Sequence, residues 1–225
     1  MKKKSLYIIV SVLILSLLMS FIDGFIKPTY IVKSIIKIVL FLIVPMVYFF
    51  LFKGEASHFK KLFIPKSKDF FRALVLGVLV YGVIVGAYLL LKDVFDFSAI
   101  VGSLTSDVGV NPGNFIYVAL YISFVNSLLE EFFFRGFAFI TLKEQTNRKF
   151  AYVFSALLFA LYHVGMTAGW FHIIVFVLAV IGLFAGGCIF NYLNEKCENI
   201  YPSWLVHMCA NFATNTIGFI LFGIL

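Results

Sequence analysis

Apolar residues run along this chain in long stretches, and short charged or polar segments interrupt them. The stretches cover about residues 5–22, 35–52, 73–91, 114–142, 150–166, 170–192 and 201–225. A helix rises about 1.5 Å per residue, so roughly 17–25 residues cross the hydrocarbon layer of a bilayer. The pattern therefore predicts an all-α, polytopic transmembrane helical bundle of about seven spans, with residues 1–225 as a single transmembrane domain. The fourth stretch is longer than a bilayer requires.

The interruptions predict orientation. Lys2, Lys3 and Lys4 precede the first run, and Lys53, Lys60, Lys61, Lys66, Lys68 and Arg72 crowd the connection after the second. Lys143, Arg148 and Lys149 follow the fourth run, and Lys196 follows the sixth. Residues 92–113 instead hold Asp93, Asp96 and Asp107 with one lysine and a turn at Asn111-Pro112-Gly113. Thirteen basic residues thus fall on one side, while Lys27, Lys33, Lys37 and Lys92 fall at the opposite ends, with Lys33 and Lys37 expected to snorkel to the interface. Basic residues are retained on the cytoplasmic side, so the expected location is the cell membrane, multi-pass, with the N-terminus cytoplasmic. The first run exceeds a signal-peptide core and lacks a small-x-small cleavage site, which predicts a retained signal anchor.

Composition agrees. The chain is 62% hydrophobic and 13% charged, where a soluble domain carries about 25% charge, so a soluble class is excluded. The net charge of +7 is explained by cytoplasmic lysines, and no nucleic-acid partner is expected; the bilayer lipid is the expected surrounding. Cys188, Cys197 and Cys209 are odd in number and lack CxxC spacing, so neither a disulfide nor a zinc clip is expected from them. No internal repeat points to an inverted-repeat transporter.

Ionisable groups inside a span cost about 2.5–3.5 kcal/mol each on insertion scales and so require a reason. Glu130, Glu131, Arg135, His163 and His207 lie at such positions, and the polar Asn211 joins them. Glu131 and Arg135 share a helix face at i,i+4, which predicts a structural ion pair and leaves Glu130 without a local partner. His207 and Asn211 are likewise i,i+4. Counted from the helix ends, these groups reach a common layer, which predicts one buried site on three spans. A single intramembrane histidine often serves as hydrogen-bonding glue between helices, whereas four matching groups favour a shared site. His172 and His58 are expected to be interfacial and solvated.

Two chemistries suit the set. Glu130, His163 and His207 could hold a divalent metal such as zinc, which activates a bound water. Without a metal, Glu130 and His163 could deprotonate a water directly, with His207 and Asn211 donating hydrogen bonds to the oxyanion. Both hydrolyse an acyl bond.

At these residues the chain resembles a known family. Glu130-Glu131-Phe132-Phe133-Phe134-Arg135 fits EExxxR, Phe159-Ala160-Leu161-Tyr162-His163 fits FxxxH, and His207-Met208-Cys209-Ala210-Asn211 fits HxxxN. Together these are the signature of the CPBP family, the CAAX protease and bacteriocin-processing intramembrane proteases, and the resemblance covers residues 114–212. It implies an intramembrane endopeptidase acting on a membrane-associated or C-terminally modified peptide or protein substrate, in a cavity open towards the cytoplasm. It also implies that Glu130 is the catalytic glutamate, that His163 helps activate water, and that His207 and Asn211 stabilise the oxyanion. The alternative is a non-catalytic membrane immunity or scaffold protein that keeps the fold.

Overall fold

A computed structural model describes residues 3–52, 56–65 and 67–225; the side chains of residues 56–58 and 67–69 lie outside the description. His58, Lys2, Lys53, Lys66 and Lys68 therefore fall outside the described side chains. Among the described residues the chain forms helices α1 (Lys3–Ile26), α2 (Tyr30–Leu51), α3 (Ala56–Leu62), α4 (Ser67–Leu91), α5 (Ser98–Val108), α6 (Phe115–Gln145), α7 (Arg148–Thr167), α8 (Ile173–Cys197) and α9 (Tyr201–Leu221), and no strand.

Six of them, α1, α2, α4 over Phe70–Leu91, α6, α7 and α8, are long and apolar enough to cross a membrane, as a multi-pass bundle requires. The seventh long helix, α9, has the length but is not among the six. Its composition explains why: His207, Asn211, Thr214, Asn215 and Thr216 interrupt the apolar run, and several of them are used inside the bundle.

The α6 helix is the axis of the bundle. It is α-helical to Tyr121, widens to π winding over Ile122–Asn126, returns to α over Ser127–Glu130 and widens again over Glu131–Thr141. Every residue of Glu131–Thr141 is buried, as expected for a helix apolar on nearly all sides. Its phenylalanines interlock with the neighbouring helices. Phe133 stacks on Phe41 of α2 with ring centres 4.0 Å apart, and Phe134 meets Phe159 and Tyr162 of α7 edge-on or tilted.

Small residues allow the closest helix approaches. A Cβ on Gly165 of α7 would lie 2.2 Å from the Ser20 carbonyl of α1, and one on Gly187 of α8 would lie 3.0 Å from Ala156 of α7. Gly82 and Gly86 on α4 differ from these: a Cβ added at either would meet nothing within 4 Å among the described residues.

At one end of the bundle Arg148 clasps Glu195 through two contacts of 2.7 Å, with Lys143 at 3.4 Å. At the other end Lys27 meets Asp107 at 2.8 Å. The acidic connection over residues 92–113 holds α5. Val101, Leu104 and Val108 are partly buried and give it one apolar face, while Gly109 at φ 73° ends it in the left-handed region that glycine adopts without strain.

Candidate active site

The site forms where α2, α6, α7 and α9 meet. The widened turn Ile122–Asn126 sets its geometry, because a change in winding disturbs the regular carbonyl pattern and polar side chains must satisfy the result. Residues of α9 do so. Trp204 Nε1 donates to the Phe124 carbonyl at 3.2 Å, Asn211 Nδ2 to the Ile122 carbonyl at 3.1 Å, and Asn215 Nδ2 to the Ala119 carbonyl at 3.1 Å. These bonds lock the register of α9 against α6 and thereby deliver His207 to the two glutamates.

His207 sits between consecutive carboxylates. Its Nδ1 lies 2.9 Å from Glu131 Oε1, and its Nε2 lies 3.7 Å from Glu130 Oε2. A carboxylate oxygen accepts, so Nδ1 donates to Glu131 and Nε2 is the ring atom that faces Glu130. The ring is clamped by Phe190, stacked at 5.3 Å, and by Phe159, edge-on at 5.8 Å.

The same logic fixes His163. Its Nδ1 lies 2.7 Å from the Phe159 carbonyl, an acceptor, so this nitrogen donates and Nε2 is left facing Glu130 Oε2 at 3.8 Å. Two imidazole Nε2 atoms thus converge on one carboxylate oxygen.

The two oxygens of Glu130 are used differently. Oε1 accepts from Lys37, from Asn126 Nδ2 at 2.9 Å and from the Tyr162 hydroxyl at 3.3 Å. Oε2 accepts no hydrogen bond from the described residues, although the side chain is only 2% exposed. The carboxylate is anchored through one oxygen, and the other is left to the histidines.

Glu131 and Arg135 approach to 3.5 Å between Oε2 and Nε, and both side chains are completely buried. The guanidinium lies over Phe159 at 4.0 Å and Phe190 at 4.8 Å, the same rings that hold His207. Glu131 therefore has two neighbours, Arg135 and His207, where the sequence pointed to one.

The structure brings together Glu130, Glu131, Arg135, His163 and His207, and places Asn211 one turn along α9 with an amide hydrogen bonded to Ile122. His172 is exposed at the start of α8, where its Nδ1 accepts from the Ile174 amide. Lys37 requires a correction. It does not snorkel to the outer interface; it is 3% exposed and paired with Glu130. The reason is the start of α2. This helix begins at Tyr30 rather than near Ile35, so Lys37 lies seven residues, about 10 Å, inside it. Asn126 was also missed, though its i,i+4 spacing to Glu130 was legible, as was Tyr162, which adjoins His163.

Among the described residues no group of three or more His, Cys, Asp or Glu side chains is arranged to hold a metal, and the Lys37 ammonium takes Glu130 Oε1, leaving Oε2 with the two histidines.

Comparison with known proteins gives an independent line. The family model described as Type II CAAX prenyl endopeptidase Rce1-like matches residues 112–213, the stretch that contains α6, α7, α8 and the half of α9 with His207 and Asn211. No curated protein and no solved structure matches the chain. The matched segment holds both glutamates, both histidines and Arg135 in one buried cluster, and its similarity to the Rce1-like domain supports the resemblance to the CPBP family of intramembrane proteases.

Proposed function

We propose that the protein is an intramembrane endopeptidase in which Glu130 is the general base. The observation that carries this reading is the asymmetry of its carboxylate: Oε1 is held by three donors, while Oε2 faces the Nε2 atoms of His163 and His207 at 3.8 and 3.7 Å. A water between them gives one proton to Glu130 Oε2 and directs its other hydrogen to His163 Nε2. Its oxygen bonds to the scissile carbonyl carbon. When the C–N bond breaks, the proton on Glu130 passes to the departing amine nitrogen, so one carboxylate serves first as base and then as acid.

His207 and Asn211 stabilise the oxyanion. His207 does so when the water's proton passes from Glu130 Oε2 to its Nε2, 3.7 Å away, and stays there until it returns through Glu130 to the amine, and Asn211 does so through the amide hydrogen not given to Ile122. Glu131 and Arg135 keep the His207 ring in place. The Lys37 cation beside Glu130 supports the metal-free form of this chemistry over one with zinc on Glu130, His163 and His207.

The substrate is a membrane-associated or C-terminally modified peptide, in keeping with the Rce1-like domain. The end of the bundle that carries Lys143 and Arg148, and with it the N-terminus, faces the cytoplasm, because basic residues concentrate there. Mass spectrometry of membrane peptides from cells producing wild type or Glu130→Gln tests the reading. Fragments present only with wild type are expected. Identical peptide sets, with protection against a bacteriocin unchanged by the substitution, would replace it with a non-catalytic immunity or scaffold role.

A further inference from the structure

One side chain enters the site from outside residues 112–213. Lys37 comes from α2, and its ammonium contacts Glu130 Oε1 and Asn126 Oδ1 while lying 4.9 Å from the centre of the Tyr162 ring and 5.7 Å from that of Phe41. Because Asn126 accepts from Lys37 through its oxygen, its Nδ2 is turned towards Glu130, so the lysine orders a second donor as well as supplying the first.

Among the described residues each buried carboxylate has one Lys or Arg within 4 Å. Lys33 lies 3.0 Å from Asp23, Arg135 lies 3.5 Å from Glu131, and Lys37 is left with Glu130. Without Lys37, Glu130 would keep only the neutral donors Asn126 and Tyr162 among aromatic rings. Two neutral donors hold a carboxylate less firmly than the same donors with an ammonium, so Oε2 would be less strictly kept towards the histidines.

We propose that Lys37 is a positioning residue of the proteolytic centre, which holds Glu130 by Oε1 so that Oε2 faces the two histidines. The proposal rests on Glu130 being the base. It assigns a part of the site to α2, outside the matched domain. It also gives the lysine a constant contact through both halves of the reaction, since Oε1 stays anchored while Oε2 takes the proton and gives it up. Lys37 touches neither the water nor the substrate in this scheme.

The test uses the full chain in liposomes, with a peptide that wild type cleaves. Lys37→Met should lower kcat about a hundredfold with KM within about twofold of wild type, because the base is affected and substrate binding is not. Lys37→Arg should restore at least about tenfold of the loss, since it returns the charge. Wild-type kcat in Lys37→Met, a defect confined to KM, or Lys37→Arg no faster than Lys37→Met would each overturn the proposal.

Thermal midpoints of Lys37→Met, Glu130→Gln and the double variant in detergent provide a readout that needs no activity. The double variant should be more stable than either single variant, because each single substitution leaves a buried partner behind. Additive losses would overturn the pairing. A coupled cycle in a protein that cleaves no peptide would instead sink the proteolysis reading while leaving the ion pair intact.

Discussion

The Nδ1 atom of His207 lies 2.9 Å from Glu131 Oε1, while the other oxygen of Glu131 faces Arg135. Glu131 therefore links a cation that has no other carboxylate within 4 Å among the described residues to the imidazole that faces Glu130. Glu131→Gln should destabilise the protein by about 3 kcal/mol, because it leaves the Arg135 charge buried and uncompensated. It should also slow cleavage, since the amide holds the ring less firmly. Thermal unfolding in detergent and the cleavage rate, measured on one preparation, check both effects.

Asn211 and Asn215 each donate to a carbonyl of α6, at 3.1 Å in both cases. Asn215→Ala should cost about 1 kcal/mol of stability and leave the rate per folded molecule nearly unchanged. Asn211→Ala should cost about as much stability but reduce kcat by a further ~10²-fold, the usual effect of losing an oxyanion donor. Equal rates for the two variants would reduce Asn211 to a register pin.

Gly165 carries the close approach of α7 to α1. Gly165→Ala places a Cβ against the Ser20 backbone and should destabilise the fold by about 1–3 kcal/mol, displacing His163 two residues earlier. Gly82→Ala on α4 is the control, since nothing lies within 4 Å of its added Cβ and alanine favours the helix. Thermal midpoints should separate the two variants clearly.

Much of this architecture was legible before the structure because lipid imposes a simple rule: long apolar runs become helices. Glu130, Glu131, His163 and His207 were legible for the converse reason, that charge is costly at such depth. Lys37 was not. Its role depends on where α2 starts, just after Thr29, a residue type that favours helix N-caps but here makes no side-chain cap hydrogen bond. The link from His207 to Glu131 was hidden too, because adjacent residues on a regular helix point about 100° apart, and an imidazole with two nitrogens bridges that angle here. The widened turns of α6 left no mark in the composition, although they explain why α9 needs Trp204, Asn211 and Asn215.

A chelator distinguishes the two hydrolytic chemistries. With Lys37 on Glu130, cleavage should continue at the wild-type rate after exhaustive treatment with a zinc chelator, and metal analysis of the active preparation should find no stoichiometric divalent ion. Loss of activity that returns on adding zinc would assign Glu130, His163 and His207 as ligands instead.

The most direct measurement is the cleavage rate of Glu130→Gln in liposomes against wild type, on the same membrane peptide and with matched thermal stability. The amide retains the size of the side chain and removes its ability to take a proton, so kcat should fall by at least about 10²–10⁴-fold with KM little changed. Cleavage by a folded Glu130→Gln protein at the wild-type rate would contradict the account.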